Sequence, residues 1–358
     1  MEDIITLDYG SGGGKTAELI DSILLPAFKN PILSQLGDGA LLKDRRGEDS
    51  FVFSTDSFVV SPWKFPGGNI GNLCVCGTVN DVCMAGGLPQ YLSLSFILEE
   101  GFSFRDFKMI VDTIAEEARQ AGVLITTGDT KVVEAGKGDG IYINTAGIGF
   151  LRAHFPGKSG IRKGDTVILS GSAGCHGAAV MMARSGLLSL QDAQTSSLRS
   201  DCQCLHLLTE AAIHAAEKTQ TALPNSSPAC SGIRIMRDPT RGGIATALNE
   251  FTENMPFSIE IEEDAVPVDA PVEAACDLLG LDPLYCACEG RMLLVTAPEA
   301  CAPVLDALKE VPGGEHAAVI GTVTEDMPGH VLLKTRIGGK RILSKLSGQQ
   351  LPRIISKH

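Results

Sequence analysis

No stretch of the 358-residue chain approaches the roughly 18 consecutive apolar residues of a membrane-spanning helix, so no membrane partner is expected. The start, Met1-Glu2-Asp3-Ile4, lacks the basic segment and apolar core of a secretory signal peptide, which predicts a cytoplasmic location. Positive charge is scarce as well. Thirty Lys and Arg face 43 Asp and Glu, a net charge of −13, whereas surfaces that track nucleic-acid phosphates need clustered Lys and Arg. That balance excludes a nucleic-acid partner and suits a soluble cytosolic protein or one that collects Mg²⁺. Aromatic residues make up only 5 % of the chain against 40 glycines, which predicts many tight turns and backbone closely approached by ligands. Eleven cysteines without a secretory signal predict reduced thiols, not a disulfide framework.

What is present suits a large folded core. Hydrophobic residues make up 44 % and charged residues 20 %, and the length fits two domains or one large α/β domain. Phe51 to Thr55 reads as a strand running into Asp56, and Asn69 to Ala85 as a helix stopped by Gly86-Gly87 and Pro89. Tyr91 to Leu98 alternates as a half-buried strand does. Ser103-Phe104-Arg105-Asp106 opens a helix whose predicted stripe is Phe104, Phe107, Val111, Ile114, Ala118 and Ala121. Val123 to Thr126 is the next strand, delivering Gly128-Asp129-Thr130, and Ile141 to Ile148 another. A Pro/Gly shift near Leu151 to Lys163 marks a domain boundary. Beyond it, strands are predicted at 166–169, 257–261, 291–295 and 317–320. Helices are predicted after Gly174, after Gly243 and near 272–279. The polar, Pro-containing stretch Thr219 to Ser231 reads as a mobile insertion.

Several segments could carry chemistry. Gly10-Ser11-Gly12-Gly13-Gly14-Lys15-Thr16 invites a phosphate-loop reading. Tyr9 occupies the first Walker glycine position, however, and Lys15 the third glycine of the dinucleotide pattern. Asp38, Asp56, Asp81 and Asp129 are carboxylates without His or Cys neighbours. If they converge, they suit Mg²⁺ with nucleotide phosphates; singly, each is a turn former or helix cap. Asp56 and Asp129 are expected just past strand ends. Lys131 could clamp phosphate or be a solvated lysine, and Glu289 could be a buried base or a turn acid. Asp238-Pro239-Thr240-Arg241-Gly242-Gly243 reads as a helix start able to bind an anion. The cysteines form three C-x-C pairs, Cys74/Cys76, Cys202/Cys204 and Cys286/Cys288, with His206 near the second and Cys175-His176 elsewhere. None has C-x-x-C spacing, and Cys74 and Cys76 leave a helix on different sides, so free core thiols without stoichiometric zinc or iron are predicted.

Longer strings carry a resemblance. They include Gly10-Ser11-Gly12-Gly13, Thr55-Asp56-Ser57-Phe58, Phe65-Pro66-Gly67-Gly68 and Cys76-Gly77-Thr78-Val79-Asn80-Asp81. Phe96-Ile97-Leu98-Glu99-Glu100-Gly101, Thr127-Gly128-Asp129-Thr130-Lys131-Val132-Val133 and Ile143-Asn144-Thr145-Ala146-Gly147 follow in order. Asp238-Pro239-Thr240-Arg241-Gly242-Gly243 and Leu351-Pro352-Arg353-Ile354 complete the set. Together they resemble the HypE family of nickel–iron hydrogenase maturation, within the PurM-like (AIR synthetase-related) superfamily.

The resemblance implies an α+β (mixed α/β) fold of two domains. Residues 1–155 would form a dimerising ATP/Mg domain, 156–345 a PurM-like domain and 346–358 a mobile tail. It implies a homodimer with ATP, and Mg²⁺ held by Asp38, Asp56, Asp81 and Asp129. Nucleotide contacts would come from Gly10, Ser11, Gly12, Gly13, Asp56, Asn80, Asp81, Asp129, Thr130 and Arg241, and catalysis from Lys131, Glu289 and His176. The implied reaction is ATP-dependent dehydration of a carboxamide on a C-terminal cysteine to a thiocyanate. A HypF-type protein loads the carbamoyl group, and HypC–HypD receives the cyanide. Three positions depart from the family pattern. Ile355 stands where the carrier cysteine is expected, with no cysteine after Cys301; Cys175 replaces an aspartate and Cys288 an asparagine. The alternatives are a relative that binds ATP and partners without dehydrating, or a small-molecule enzyme of the AIR synthetase type.

Overall fold

The computed structural model describes residues 13–28, 30–43, 50–187, 196–220 and 232–346. Gly10, Ser11, Gly12, residues 221–231 of the predicted insertion and the tail from 347 lie outside the described residues. Two short helices come first, α1 (Gly14–Leu19) and α2 (Leu25–Phe28), joined by a π-helical turn. A five-stranded sheet follows, made of β1 (Ala40–Lys43), β2 (Ser50–Phe58), β5 (Gly87–Glu99), β6 (Leu124–Val133) and β7 (Ile141–Leu151). Its order is β1-β2-β7-β5-β6, and only the β5–β6 pair is parallel. A small hairpin of β3 (Lys64–Phe65) and β4 (Gly68–Asn69) leads into helix α3 (Ile70–Met84), and α4 (Phe104–Gln120) links β5 to β6.

Strand period decides what each face does. Val52, Ser54 and Phe58 of β2 are buried on the side that carries α3, with Asp56 on the same side, while Phe53 and Thr55 look the other way. Helix α3 is apolar nearly all round, and every residue but Asn72 and Asp81 is buried. Its start is a reciprocal cap: Gly71 N–H donates to Asn69 Oδ1 at 2.7 Å and Asn69 N–H to Asn72 Oδ1 at 2.9 Å. The α4 stripe is the predicted one at Phe107, Val111, Ile114, Ala118 and Ala121 and departs from it at Phe104. Ile110, Ile114 and Ala118 face the core, whereas Phe104 is 92 % exposed. Among the described residues no helix covers the other face of the sheet, where Phe53, Tyr91, Ile97, Leu124, Ile148 and Phe150 are exposed.

The second sheet has seven strands in the order β14-β13-β10-β12-β8-β11-β9. They are β8 (Thr166–Leu169), β9 (Ile233–Arg237), β10 (Ser258–Glu262), β11 (Leu293–Thr296), β12 (Ala318–Thr324), β13 (Val331–Lys334) and β14 (Lys340–Ile342). Its helices are α5 (Cys175–Arg184), α6 (His206–Gln220), α7 (Gly243–Thr252), α8 (Ala270–Leu279) and α9 (Pro298–Lys309). Central strands are buried on both sides: Val167 and Leu169 meet the α7 layer, and Ile168 meets the core shared with α6 and α9. That core continues through α3 and α4 to Phe96 and Ile143 of the first sheet. Arg152 reinforces the joint with two bonds to Glu217, at 2.7 and 3.0 Å, and one to Glu210 at 3.1 Å.

Candidate active site between the two sheets

Carboxylates from both halves meet at this joint. Strand β2 supplies Ser54 and Asp56, α3 supplies Asp81, and the turn before β1 supplies Asp38. The end of β9 adds Arg237 and Asp238. Oxygens of Asp38, Asp81 and Asp238 lie within 4.8 Å of one another. Ser54 Oγ donates to Asp81 Oδ2 at 2.7 Å, and Arg237 Nη1 lies 2.6 Å from Asp38 Oδ1. Arg241 Nη2 stands 3.7 Å from Asp56 Oδ1, just ahead of α7, whose N-terminus has the glycine cap Gly242 and no side-chain cap. Gly77 lets α3 sit against β2 here, because a Cβ would lie 2.7 Å from the Phe58 ring.

Burial and like charge raise these acids. Burial, against the opposing pull of Arg237, pushes the Asp38 carboxyl up to about 6, and burial with Asp38 nearby takes Asp238 to about 7. Asp81 is pushed well above the usual carboxylate range by burial, then by Asp238 and Asp38. Asp56 is raised by burial and held back by Arg241. An oxygen-only set of crowded, mutually repelling carboxylates is what a hard divalent cation relieves, so these residues fit Mg²⁺.

Glu289 stands beside this set, raised well above its ordinary value first by burial and then by Asp238, Asp201 and Asp56. Its loop is held by backbone contacts. Asn80 Nδ2 donates to the carbonyls of Glu289 (3.2 Å) and Gln203 (3.1 Å), and Glu289 N–H donates to Asp201 Oδ1 at 3.3 Å. Asp201 Oδ1 also accepts the His176 N–H at 3.0 Å, and Arg291 Nε lies 3.6 Å from Oδ2. The His176 ring packs edge-on against Phe65 with Nδ1 2.9 Å from Ser200 Oγ, and burial lowers it to about 4. It is therefore neutral at pH 7.

The fold brings together Asp38, Asp56, Asp81, Arg241 and Glu289 of the predicted residues. It does not bring Asp129, Thr130 and Lys131 to them. Asp56 and Asp129 lie inside β2 and β6, not past strand ends. Asp129 aligns through Ser95 and Asn144 with Ser57, a row on the uncovered face, while Asp56 is on the α3 face. Asp129 is paired with Lys131, both of them exposed. Asn80, expected on the nucleotide, is fully buried and spends its amide on backbone; its Oδ1 accepts the Leu205 N–H at 2.7 Å. Gly13 caps the short helix α1. Asp201 and Arg237 carry no local motif, and Asp238 reads only as part of a helix start; in the fold the α7 cap is Gly242, and Asp238 joins Asp38 and Asp81.

Comparison with known proteins decides the family. The N-terminal domain model of AIR synthase related proteins matches residues 37–151, and the C-terminal domain model matches 162–334. A carbamoyl dehydratase HypE from Bradyrhizobium diazoefficiens is 45 % identical over 98 % of this chain and 96 % of its own length. A crystal structure of HypE in complex with ATP superposes with a TM-score of 0.74 at 42 % identity, covering 98 % of this chain and 99 % of that one. A HypE–HypF complex gives 0.80 at 38 % identity over 92 % of this chain and 99 % of that one. The chain belongs to the HypE family. Two of its departures from the HypE pattern lie side by side at the start of α5. Cys288 Sγ accepts the Gly174 N–H at 3.1 Å, and Cys175 Sγ donates to the Ser172 carbonyl at 3.7 Å. Both thiols are buried, and burial raises Cys175 to about 11, so it is protonated at neutral pH. Ile355, the third HypE departure, lies outside the described residues.

Proposed function

We propose that this chain is an ATP-dependent carbamoyl dehydratase whose working centre is the junction of Asp38, Asp56, Asp81, Asp238 and Glu289. The convergence of the three carboxylates Asp38, Asp81 and Asp238 between the two sheets is the observation that carries it. Mg²⁺ held there would neutralise the triphosphate. The carboxamide oxygen attacks the γ-phosphorus, ADP leaves, and one N–H proton is lost. The C–O bond then breaks with departure of phosphate as the second N–H proton is taken, leaving a C≡N group. Glu289, on the loop that Asn80 and Asp201 hold beside the carboxylates, is the base for this proton. Arg241 and the α7 N-terminus stabilise phosphate charge.

The uncovered, apolar sheet face supports a homodimer built by stacking two such faces. Asp129, Thr130 and Lys131 sit on β6 at the edge of that sheet and would serve the nucleotide of the other subunit. A HypF-type carbamoyltransferase is the proposed donor and a HypC–HypD complex the acceptor, in the cytoplasm. The domains divide at 155/156, with the tail from 346 as the carrier segment. The test uses Ile355→Cys with the chain ended there, incubated with a HypF-type protein, carbamoyl phosphate and ATP. Mass spectrometry should show one carbamoyl adduct at the tail and then loss of one water. An adduct that never loses water would favour a nucleotide-binding partner protein without dehydratase activity.

A further inference from the structure

The C-x-C pairs fare differently in the fold: Cys202 and Cys204 both turn to Cys76, while Cys286 Sγ lies 3.8 Å from Cys276 Sγ. Cys74 and Cys76 part, as their helical spacing demands, and Cys76 meets the second pair instead. Its Sγ lies 3.5 Å from Cys204 Sγ and 3.7 Å from Glu117 Oε2. Cys202 also turns its thiol to Cys76 in a hydrogen bond. Ligand atoms of Cys76, Glu117 and Cys204 all fall within 4.8 Å of one another. In a tetrahedral zinc site with bonds of about 2.3 Å, neighbouring sulfurs stand ~3.8 Å apart, so the observed spacing needs little adjustment.

Against the expectation of metal-free core thiols, we propose that Cys76, Cys204 and Glu117, joined by Cys202, bind one zinc-class divalent ion where α3, α4 and the segment before α6 meet. Two or three thiolates with one carboxylate form a borderline-soft set, unlike the oxygen-only cluster of Asp38, Asp81 and Asp238. The carboxylate has an outer support: Asn72 Nδ2 donates to Glu117 Oε1 at 2.7 Å, leaving Oε2 for the ion. An open groove of about 620 Å³, lined by Arg105 and Lys108 as well as Asp112, Glu116 and Glu117, opens beside Asn72. Binding displaces the thiol protons to solvent, so affinity rises with pH. The ion would pin residues 202–204 to α3. The next residue, Leu205, is bonded to Asn80, which also holds the Glu289 carbonyl. The site therefore positions the Glu289 loop without touching substrate.

The purified full chain, stripped by a chelator, should bind one Zn²⁺ per chain in competition with a chromophoric chelator. Cobalt substitution should give a thiolate-to-metal absorption band. Cys204→Ser and Glu117→Gln should each weaken binding at least about tenfold, while Cys301→Ser and Asp81→Asn retain it. Circular dichroism checks that each variant is folded, and the cobalt spectrum of the parent chain reads the site without any variant. Absence of a thiolate band, or equal loss in Cys301→Ser, would overturn the proposal. So would Zn²⁺ binding abolished by Asp81→Asn, because the ion would then sit at the carboxylates.

Discussion

Asp81 lies among the carboxylates of Asp38, Asp56 and Asp238, with Ser54 Oγ donating to it, so its charge belongs to the set a cation would hold. Asp81→Asn should weaken Mg-ATP binding by roughly ten- to a hundredfold, the range for losing a charged contact, with the fold intact by circular dichroism. Unchanged affinity in calorimetry would remove it from the metal set. His176 makes a prediction of opposite character. Its ring is held neutral, down to about 4, against an unfolded value near 6.5. A depressed histidine contributes no loss above pH 6.5, but between 6.5 and 4 the unfolded chain takes up a proton that the folded chain refuses. Stability should fall with pH in that window by up to roughly 3 kcal/mol from this residue. In His176→Gln, which keeps a partner for Ser200, urea unfolding should show a correspondingly flatter slope over the same window. Identical slopes would show that the ring titrates freely in the fold.

Helix α3 is the element on which the site hangs, and Gly77 is its closest approach to the sheet. Gly77→Ala gains about 1 kcal/mol of helix propensity, but the new methyl would lie 2.7 Å from a buried Phe58 ring. Overpacking of that kind costs about 1–3 kcal/mol, so a net loss near 1 kcal/mol is expected from urea unfolding, with weaker Mg-ATP binding as Asp56 is displaced. Unaltered stability would mean that Phe58 swings aside freely. Helix α3 was legible in the sequence, from Asn69 at its start to Gly86 at its end, because caps and stops are local. Strand β6 was only half legible. The expected strand ends at Thr126, yet β6 runs on through Gly128: a Cβ there would collide with the Leu94 carbonyl, so the glycine permits close parallel pairing. Helix α9 was missed, with Pro303 inside it, and α6 follows an irregular cysteine segment that offers no cap. No local pattern says which face of a sheet an aspartate takes when the strand runs past its expected end, as β6 does at Asp129.

At the scale of the whole molecule, the proposed pairing of subunits can be checked by mixing. Asp81→Asn and Lys131→Ala should each abolish ATP turnover alone. If a site draws its carboxylates from one subunit and Lys131 from the other, co-refolded mixtures should recover about a quarter of the parent rate, since half the dimers are mixed and one of their two sites is whole. No recovery would place both residues on one subunit's site. The core that runs unbroken from Ile143 to Ile168 has a thermal consequence of its own. Neither sheet owns the oily layer of α3, α4, α6 and α9 between them, so neither can melt and leave the other standing. A scanning calorimeter should trace a single peak. Two peaks would mean that the seam is a hinge. Heat meets one object here, and the carboxylates at the seam stay together until the whole chain gives way.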